Sequence, residues 1–172
     1  TAAPRRFENT RAALLARSAS DMAACPKGAL GLRVPLTSEA AANQPVFNVN
    51  LFDTCTAYPA APLDIARAFV VDVARLPRHY GLAHDFKAVR AHYNVTPFGE
   101  LVVQVGCTDK DAKPVVAGTF PLPDPDKAPQ RFTFRGALPR GPGDRDICFQ
   151  FTAPTSGPFY AVEKVQLVED GE

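Results

Sequence analysis

The sequence has no tryptophan, no excess of charge of either sign and no long apolar run. Its formal net charge is +1, from 19 Lys+Arg against 18 Asp+Glu, so it lacks the strong basic field of proteins that bind nucleic acid or anionic membranes. The longest apolar candidates, such as residues 101–105, are only strand length, whereas a membrane-spanning helix needs ~20 residues. We therefore expect neither nucleic acid nor a membrane as a partner.

Motifs for catalysis are also missing. The three histidines, His79, His84 and His92, do not form an HExxH zinc motif, and neither a Gly-x-Ser-x-Gly nucleophile motif nor a phosphate-binding Gly-rich loop occurs. The only adjacent acids, Glu169 and Asp170, stand near the end of the chain, where we expect solvated charges. The sequence therefore predicts that this chain alone is not an enzyme and needs no cofactor, with hydrolysis by the chain itself kept as a less favoured alternative.

Three Asp-x-Asp pairs could offer oxygen ligands to a calcium ion. Aspartate is also a preferred turn residue, and we favour solvated turn aspartates over a structural calcium site. The pairs are Asp109 with Asp111, Asp124 with Asp126, and Asp144 with Asp146.

The residues that are present predict an all-β fold. The 172 residues suit one domain, and 17 prolines and 11 glycines separate short segments in which apolar and polar residues alternate with the period of a strand. This pattern is typical of a two-sheet antiparallel sandwich with jelly-roll-like connections. We expect about nine strands, near residues 30–36, 47–51, 69–73, 89–95, 101–105, 115–120, 132–134, 147–151 and 161–167.

The N-terminal segment has a different composition. Residues 5–24 contain no Gly or Pro and are rich in Ala, Leu and Arg, which are good helix formers. Phe7, Leu14 and Met22 fall on one face at helical spacing. We therefore predict a helix or linker over residues 1–24 and a β-sandwich domain over residues 25–172.

The four cysteines, Cys25, Cys55, Cys107 and Cys148, are widely spaced, and we favour two disulfides over free buried thiols. Cys25 and Cys55 bracket a predicted hairpin, whose ends lie opposite each other, so we expect them to pair. Cys107 and Cys148 then pair by elimination. Disulfides together with a start at Thr1 rather than Met suggest a matured product or a piece of a longer protein, secreted or periplasmic.

Two stretches near the end of the chain carry a family pattern: Asp-Ile-Cys-Phe-Gln-Phe-Thr over residues 146–152, and Pro-Phe-Tyr-Ala-Val-Glu-Lys-Val-Gln-Leu over residues 158–167. They resemble the C-terminal domain of bacterial family 20 β-N-acetylhexosaminidases and are the best match to it. In that family a tryptophan usually follows the second cysteine, but here Thr56 follows Cys55. The other matching stretches are residues 25–34, 46–55, 75–80, 98–107 and 136–141.

The resemblance implies a non-catalytic accessory sandwich that follows a glycosidase barrel, with the N-terminal helix lying at the junction. The exposed face of that helix would then be the docking surface for the catalytic domain or subunit. The family's catalytic Asp-Glu pair belongs to the barrel and has no counterpart in this chain. We therefore favour structural support or docking as the function.

Glycan binding is the alternative function, since accessory sandwiches often stack a sugar on an exposed aromatic ring. Tyr58 and Tyr80 fall in predicted loops and are the candidate platforms, whereas Tyr93 and Tyr160 fall in strands and are expected to pack. The interpretation that we favour is that all four tyrosines pack in the core or at its rim. Possible polar neighbours of the platforms are Asn43, Gln44 and Asp85. Asn94-Val95-Thr96 matches the N-glycosylation pattern, but its predicted position in a strand argues against modification.

Overall fold

The computed structural model describes residues 16–18, 22–24, 31–35, 46–50, 55–75, 94–107, 113–141, 143–152, 158 and 160–169. Over these residues the chain forms eleven strands and no helix. All strand pairs are antiparallel. The described part of the chain therefore holds no helix that could cross a membrane.

The strands form two sheets, here named sheet A and sheet B. Sheet A has the order β3-β4-β11-β6-β9, with β1 also paired to β11, and sheet B has the order β2-β5-β10-β7-β8. The strands are β1 Ala16–Ser18, β2 Ala23–Ala24, β3 Gly31–Pro35, β4 Val46–Asn50, β5 Thr56–Pro62, β6 Ala68–Arg75, β7 Glu100–Val105, β8 Val115–Pro121, β9 Arg131–Ala137, β10 Asp144–Thr152 and β11 Tyr160–Val168.

From β4 onward, each connection except β7 to β8 carries the chain from one sheet to the other. This alternation brings several loops to the same end of the sandwich. Glu100, at the start of β7, pairs with Thr152 at the end of β10 and with Pro121 at the end of β8. Residues 94–99 and 122–130 therefore lie at one end, which we call the loop end.

The core lies between the sheets, and the described core side chains come mainly from one face of the strands β5 to β11. On β6, Phe69, Val71 and Val73 are completely buried, and on β10 Phe149 faces them, with its ring centroid 6.0 Å from that of Phe69. Burying a Phe or Val side chain stabilises the fold by ~1.5 to 3 kcal/mol. Further aromatic residues pack against this core, namely Phe120, Phe132, Phe134, Phe151 and Tyr160.

The predicted all-β, two-sheet antiparallel sandwich is confirmed. Strands form at eight of the nine predicted places. The ninth, residues 89–95, lies mostly outside the described residues, and Asn94 and Val95 at its end are in a loop rather than a strand. Strand β5 was not predicted, because two prolines and three alanines in Thr56–Pro62 conceal the alternation that marks a strand.

The predicted N-terminal helix is wrong over residues 16–18 and 23–24. Ala16–Ser18 pairs with β11, where Arg17 lies opposite Val165, and Ala23–Ala24 pairs with β5. Helix propensity is a weak preference that tertiary pairing routinely overrides. Here β1 pairs with the part of β11 that β4 leaves free, and β2 pairs with the side of β5 that faces away from β10. The rest of the predicted helix lies outside the described residues, as does most of the predicted 1–24 linker segment.

A local distortion interrupts β5 opposite β10. Ala60 has a φ of 53°, in the left-handed region that is unfavourable for a residue with a Cβ. The register between the two strands shifts between Arg145 and Ile147. The carboxylate of Asp146, which lies at this shift, accepts the Ala60 backbone N–H at 2.8 Å, so the distorted residue keeps a hydrogen-bond partner.

Because glycine adopts this backbone conformation without strain, we expect Ala60→Gly to raise the free energy of unfolding by about 1 kcal/mol. Urea denaturation measures the change. Ala137→Gly is the matched control, since Ala137 is an exposed strand residue at ordinary φ, and glycine should cost about 0.5 to 1 kcal/mol there. Equal destabilisation by both variants would contradict the strain at Ala60.

Candidate functional site

Tyr58 does not lie in a loop and is not exposed, contrary to the sequence prediction. It is the third residue of β5, opposite Ile147 of β10, and its side chain is completely buried on the inner face of sheet B. The guanidinium carbon of Arg17 lies 5.7 Å from the centre of its ring. Burial raises the pKa of the Tyr58 phenol, an effect that the charge of Arg17 partly offsets. A ring enclosed in this way has no face on which a sugar could stack.

The other predicted platform, Tyr80, lies outside the described residues, as do Tyr93 and the polar neighbours Asn43, Gln44 and Asp85. Tyr80 therefore stays a prediction. Tyr160 packs as expected: it is 3% exposed, and its ring stacks on Phe151 with 5.7 Å between centroids. Burial and the nearby Asp124 raise the pKa of the Tyr160 phenol, while Arg75 lowers it.

Phe98 is an exposed aromatic residue in the described part of the chain. It lies in the loop of residues 94–99 at the loop end, with 37% of its surface exposed, beside Val95 at 90%. Sequence reasoning missed this residue, although a signal exists. Phe98 stands between Pro97 and Gly99, two turn formers. A residue in a turn does not belong to the alternating pattern of a strand, so its aromatic ring has no inner sheet face on which to pack.

The carboxylate of Glu100 holds this loop in place. The side chain is 3% exposed, and it accepts the backbone N–H groups of Val95 at 2.8 Å and Thr96 at 3.0 Å. The Thr96 hydroxyl lies within hydrogen-bonding distance of the same carboxylate and 2.7 Å from the Gly99 carbonyl. From β10, the Thr152 hydroxyl lies 3.2 Å from Glu100 Oε1. One buried anion thus connects the loop to two strands of sheet B.

Burial by itself raises the pKa of Glu100. The hydrogen bonds from Thr96, Val95 and Thr152 outweigh that effect and hold the pKa below its ordinary value of 4.5. Hydrogen bonds donated to a carboxylate favour its ionised form. The loop therefore depends on a charged Glu100.

A second loop, residues 122–130, adjoins the first. The Leu122 N–H donates to the Gly99 carbonyl at 2.8 Å, which ties the two loops together. Within the second loop, Asp124 accepts the Asp126 N–H at 2.9 Å. Arg75, at the end of β6, donates to the Ala128 carbonyl at 3.3 Å. The loop end is therefore held by hydrogen bonds on both sides of Phe98.

Two of the three Asp-x-Asp pairs are described. Asp124 organises its own turn, as expected for a turn aspartate, and Asp146 accepts the Ala60 N–H. The described residues contain no group of three or more His, Cys, Asp or Glu side chains placed to hold a metal ion. Asp109 and Asp111 lie outside the described residues.

The predicted disulfide between Cys107 and Cys148 is confirmed, with 6.2 Å between the Cα atoms. It packs beside Ala57 and Cys55 on the outer face of sheet B. Cys55 is also disulfide-bonded, while Cys25 lies outside the described residues, so the Cys25 to Cys55 pairing stays a prediction. A bridge that closes 41 residues stabilises a fold by roughly 3 to 4 kcal/mol in the chain-entropy account.

The outer faces of the two sheets differ in charge. On sheet A, Arg131 lies 3.6 Å from Glu163, and Thr133 donates to Asp72 at 2.9 Å. On sheet B, the strand register places only uncharged side chains on the part of the outer face of β7, β8 and β10 that lies between Cys148 and Glu100. These are Val102, Gln104, Val116, Thr119 and Gln150.

No protein-family model matches the chain, and no curated protein matches it in sequence. Among solved structures, CsCBM6-3 from Clostridium stercorarium in complex with cellobiose is similar, with a TM-score of 0.53 and 13% identity over 90% of this chain and 93% of that one. A family 6 carbohydrate-binding module from Clostridium cellulolyticum in complex with xylose has a TM-score of 0.51 and 11% identity, over 90% and 96%. The chain shares the fold of these modules.

A third similar structure is a glycoside hydrolase family 43 arabinoxylan arabinofuranohydrolase from Bacillus subtilis in complex with cellotetraose. Its TM-score is 0.51 at 15% identity, and the match covers 90% of this chain but 27% of that enzyme. The match is therefore to one part of that larger enzyme. The finer resemblance to family 20 hexosaminidases stays a prediction.

We expect Glu100→Gln to lower the free energy of unfolding at pH 7 by about 2 kcal/mol, because the amide keeps only one acceptor oxygen for the N–H groups of Val95 and Thr96 and lacks the charge that strengthens these hydrogen bonds. The pKa of Glu100 is lower in the folded state, so its contribution is complete above the unfolded value and is lost as pH falls through the folded value. The difference between the wild type and Glu100→Gln should therefore shrink in acid.

Urea denaturation at several pH values from 7 to 3 tests this. Glu163→Gln is the matched control, because Glu163 is paired at the surface with Arg131 and such pairs contribute little. A Glu100→Gln variant as stable as the control at pH 7 would contradict the anchoring role.

Proposed function

We propose that this chain is a non-catalytic module that binds neutral glycans at its loop end. The observation that supports this most strongly is the fold, which is shared over nine tenths of the chain with carbohydrate-binding modules crystallised with cellobiose and xylose. Glycan binding thus replaces structural support as the favoured function.

The loop end offers the chemistry that such binding needs. An aromatic ring supplies an apolar face for the C–H groups of a sugar ring, and Phe98 is an exposed aromatic of the described residues. The loop that carries it is held by Glu100 and by the Leu122 to Gly99 hydrogen bond. A rigid loop loses little conformational entropy on binding, which favours affinity.

We also propose that the chain does not hydrolyse glycosides. Hydrolysis requires two carboxyl groups about 5 to 10 Å apart across the scissile bond. Three of the described carboxylates have structural tasks: Glu100 anchors a loop, Asp124 closes a turn and Asp146 accepts the Ala60 N–H. A carboxylate enclosed by its own donors is a poor general acid or base.

A second candidate function is docking to a glycosidase catalytic domain. This candidate is supported by the similarity to an arabinofuranohydrolase, because the matched region makes up only 27% of that enzyme. Docking through an N-terminal helix is not part of this proposal, because residues 16–18 and 23–24 are strands. The disulfide Cys107 to Cys148 further supports a secreted or periplasmic location, where such bridges persist.

Isothermal titration calorimetry with xylo-, cello- and chitooligosaccharides tests glycan binding. We expect Phe98→Ala to weaken binding several-fold, since a stacked aromatic contributes about 1 kcal/mol. Val116→Ala is the matched control, because Val116 is also exposed, at 55%, but lies on the outer face of sheet B. Tyr80→Ala tests the second proposed platform.

An effect of Val116→Ala without an effect of Phe98→Ala would move the site to sheet B. An absence of heat with all three glycan series would contradict glycan binding and favour docking. Turnover of a chromogenic N-acetylglucosaminide by the purified chain would contradict the non-catalytic proposal.

A further inference from the structure

The loop that carries Phe98 is held by hydrogen bonds to one ionisable group, the carboxylate of Glu100. Glu100 accepts two consecutive backbone N–H groups, those of Val95 and Thr96. The Leu122 N–H in turn donates to Gly99, at the end of the same loop. The segment between these attachments is short, so the position of Phe98 depends on the carboxylate.

We propose that Glu100 is a positioning residue for glycan binding, holding the Phe98 loop in its binding conformation only while its carboxylate is ionised. This inference rests on the proposed function. Glu100 does not touch the glycan in this proposal; it acts through the loop backbone. Binding should therefore depend on the protonation of a buried group that lies behind the site.

The chemistry of the carboxylate explains the requirement. Both oxygens of an ionised glutamate accept hydrogen bonds, and all the partners described around Glu100 can donate one: the two amides and the hydroxyls of Thr96 and Thr152. Protonation removes the negative charge of Glu100, and the neutral carboxyl group is a weaker acceptor. The hydrogen bonds from the Val95 and Thr96 amides would then weaken, because charge-assisted hydrogen bonds are roughly twice as strong as neutral ones.

Among the described residues, no other titratable group faces this carboxylate. The loop contributes Val95 and Thr96, β10 contributes Thr152, and β8 contributes the backbone opposite Glu100 at Pro121. The pKa of Glu100 is held below 4.5 by these donors, so the loop keeps its shape through mildly acidic conditions and releases it in stronger acid.

The experiment measures glycan affinity between pH 7 and pH 3 for the wild type, Glu100→Gln and the control Glu163→Gln. The loop is followed independently through the amide signals of Val95 and Thr96 in ¹H–¹⁵N NMR spectra. We expect wild-type binding to weaken in acid along with a shift of both amide signals. Glu100→Gln should bind roughly tenfold more weakly at pH 7, with a flat pH profile.

Thr152→Val is a milder second variant, in case Glu100→Gln fails to fold. It removes one donor to the carboxylate and also the acceptor of the Glu100 backbone N–H. The lost donor should move the acid midpoint of both the binding and the amide signals to higher pH, while the lost acceptor lowers stability at every pH. The double variant Phe98→Ala with Glu100→Gln should bind about as weakly as the weaker of the two single variants. The two losses should not add, because both changes remove the same contact.

Binding by Glu100→Gln equal to that of the control at pH 7 would overturn the positioning role while leaving the glycan site intact. The same holds if the amide signals and the binding titrate at different pH values, or if Thr152→Val leaves the midpoint unchanged. If the wild type binds no glycan at pH 7, the proposed function fails, and the positioning role fails with it even where the amide signals titrate.

Discussion

The structure depends on the burial of one apolar face of each sheet against the other. Phe69 and Phe149, from opposite sheets, meet edge to face at its centre, and the half-buried Phe120, Phe132 and Phe134 extend the contact toward the edge strands β8 and β9. Two glycines make room for this packing, since a Cβ at Gly136 would lie within 3 Å of the rings of Phe69 and Phe120, and a Cβ at Gly118 would lie within 3 Å of the ring of Phe120. This core takes up most of the described aromatic side chains, whereas Phe98 is exposed.

The core also explains which parts of the fold the sequence predicts. Alternation in β6, β7, β10 and β11 is visible in the sequence because each strand presents large apolar residues to the core at every second position. The same rule fails for β5, where Tyr58 is buried between small residues and prolines. It fails for β1 and β2 as well, because such short strands are stabilised by pairing with β11 and β5, while their own composition favours a helix.

The candidate site was harder to predict than the fold, for a physical reason. Whether an aromatic ring is exposed depends on the register of its strand. The sequence predicts Tyr58 in a loop, but the residue lies in β5 opposite Ile147. The role of Glu100 depends on partners that are distant in sequence, since Thr152 is 52 positions away. Only the turn sequence around Phe98 is local, and it is the one part of this site that a sequence pattern could have revealed.

Charge then separates the two functions that this sandwich could serve. The stretch of sheet B around Gln104 and Gln150 is uncharged, which suits the centre of a protein interface, where charged residues are depleted. At the loop end, Phe98 is exposed on a loop that the nearly buried Glu100 carboxylate holds through two backbone amides. The two surfaces lie on different parts of one module, so the proposed docking and the proposed glycan binding do not compete for the same residues.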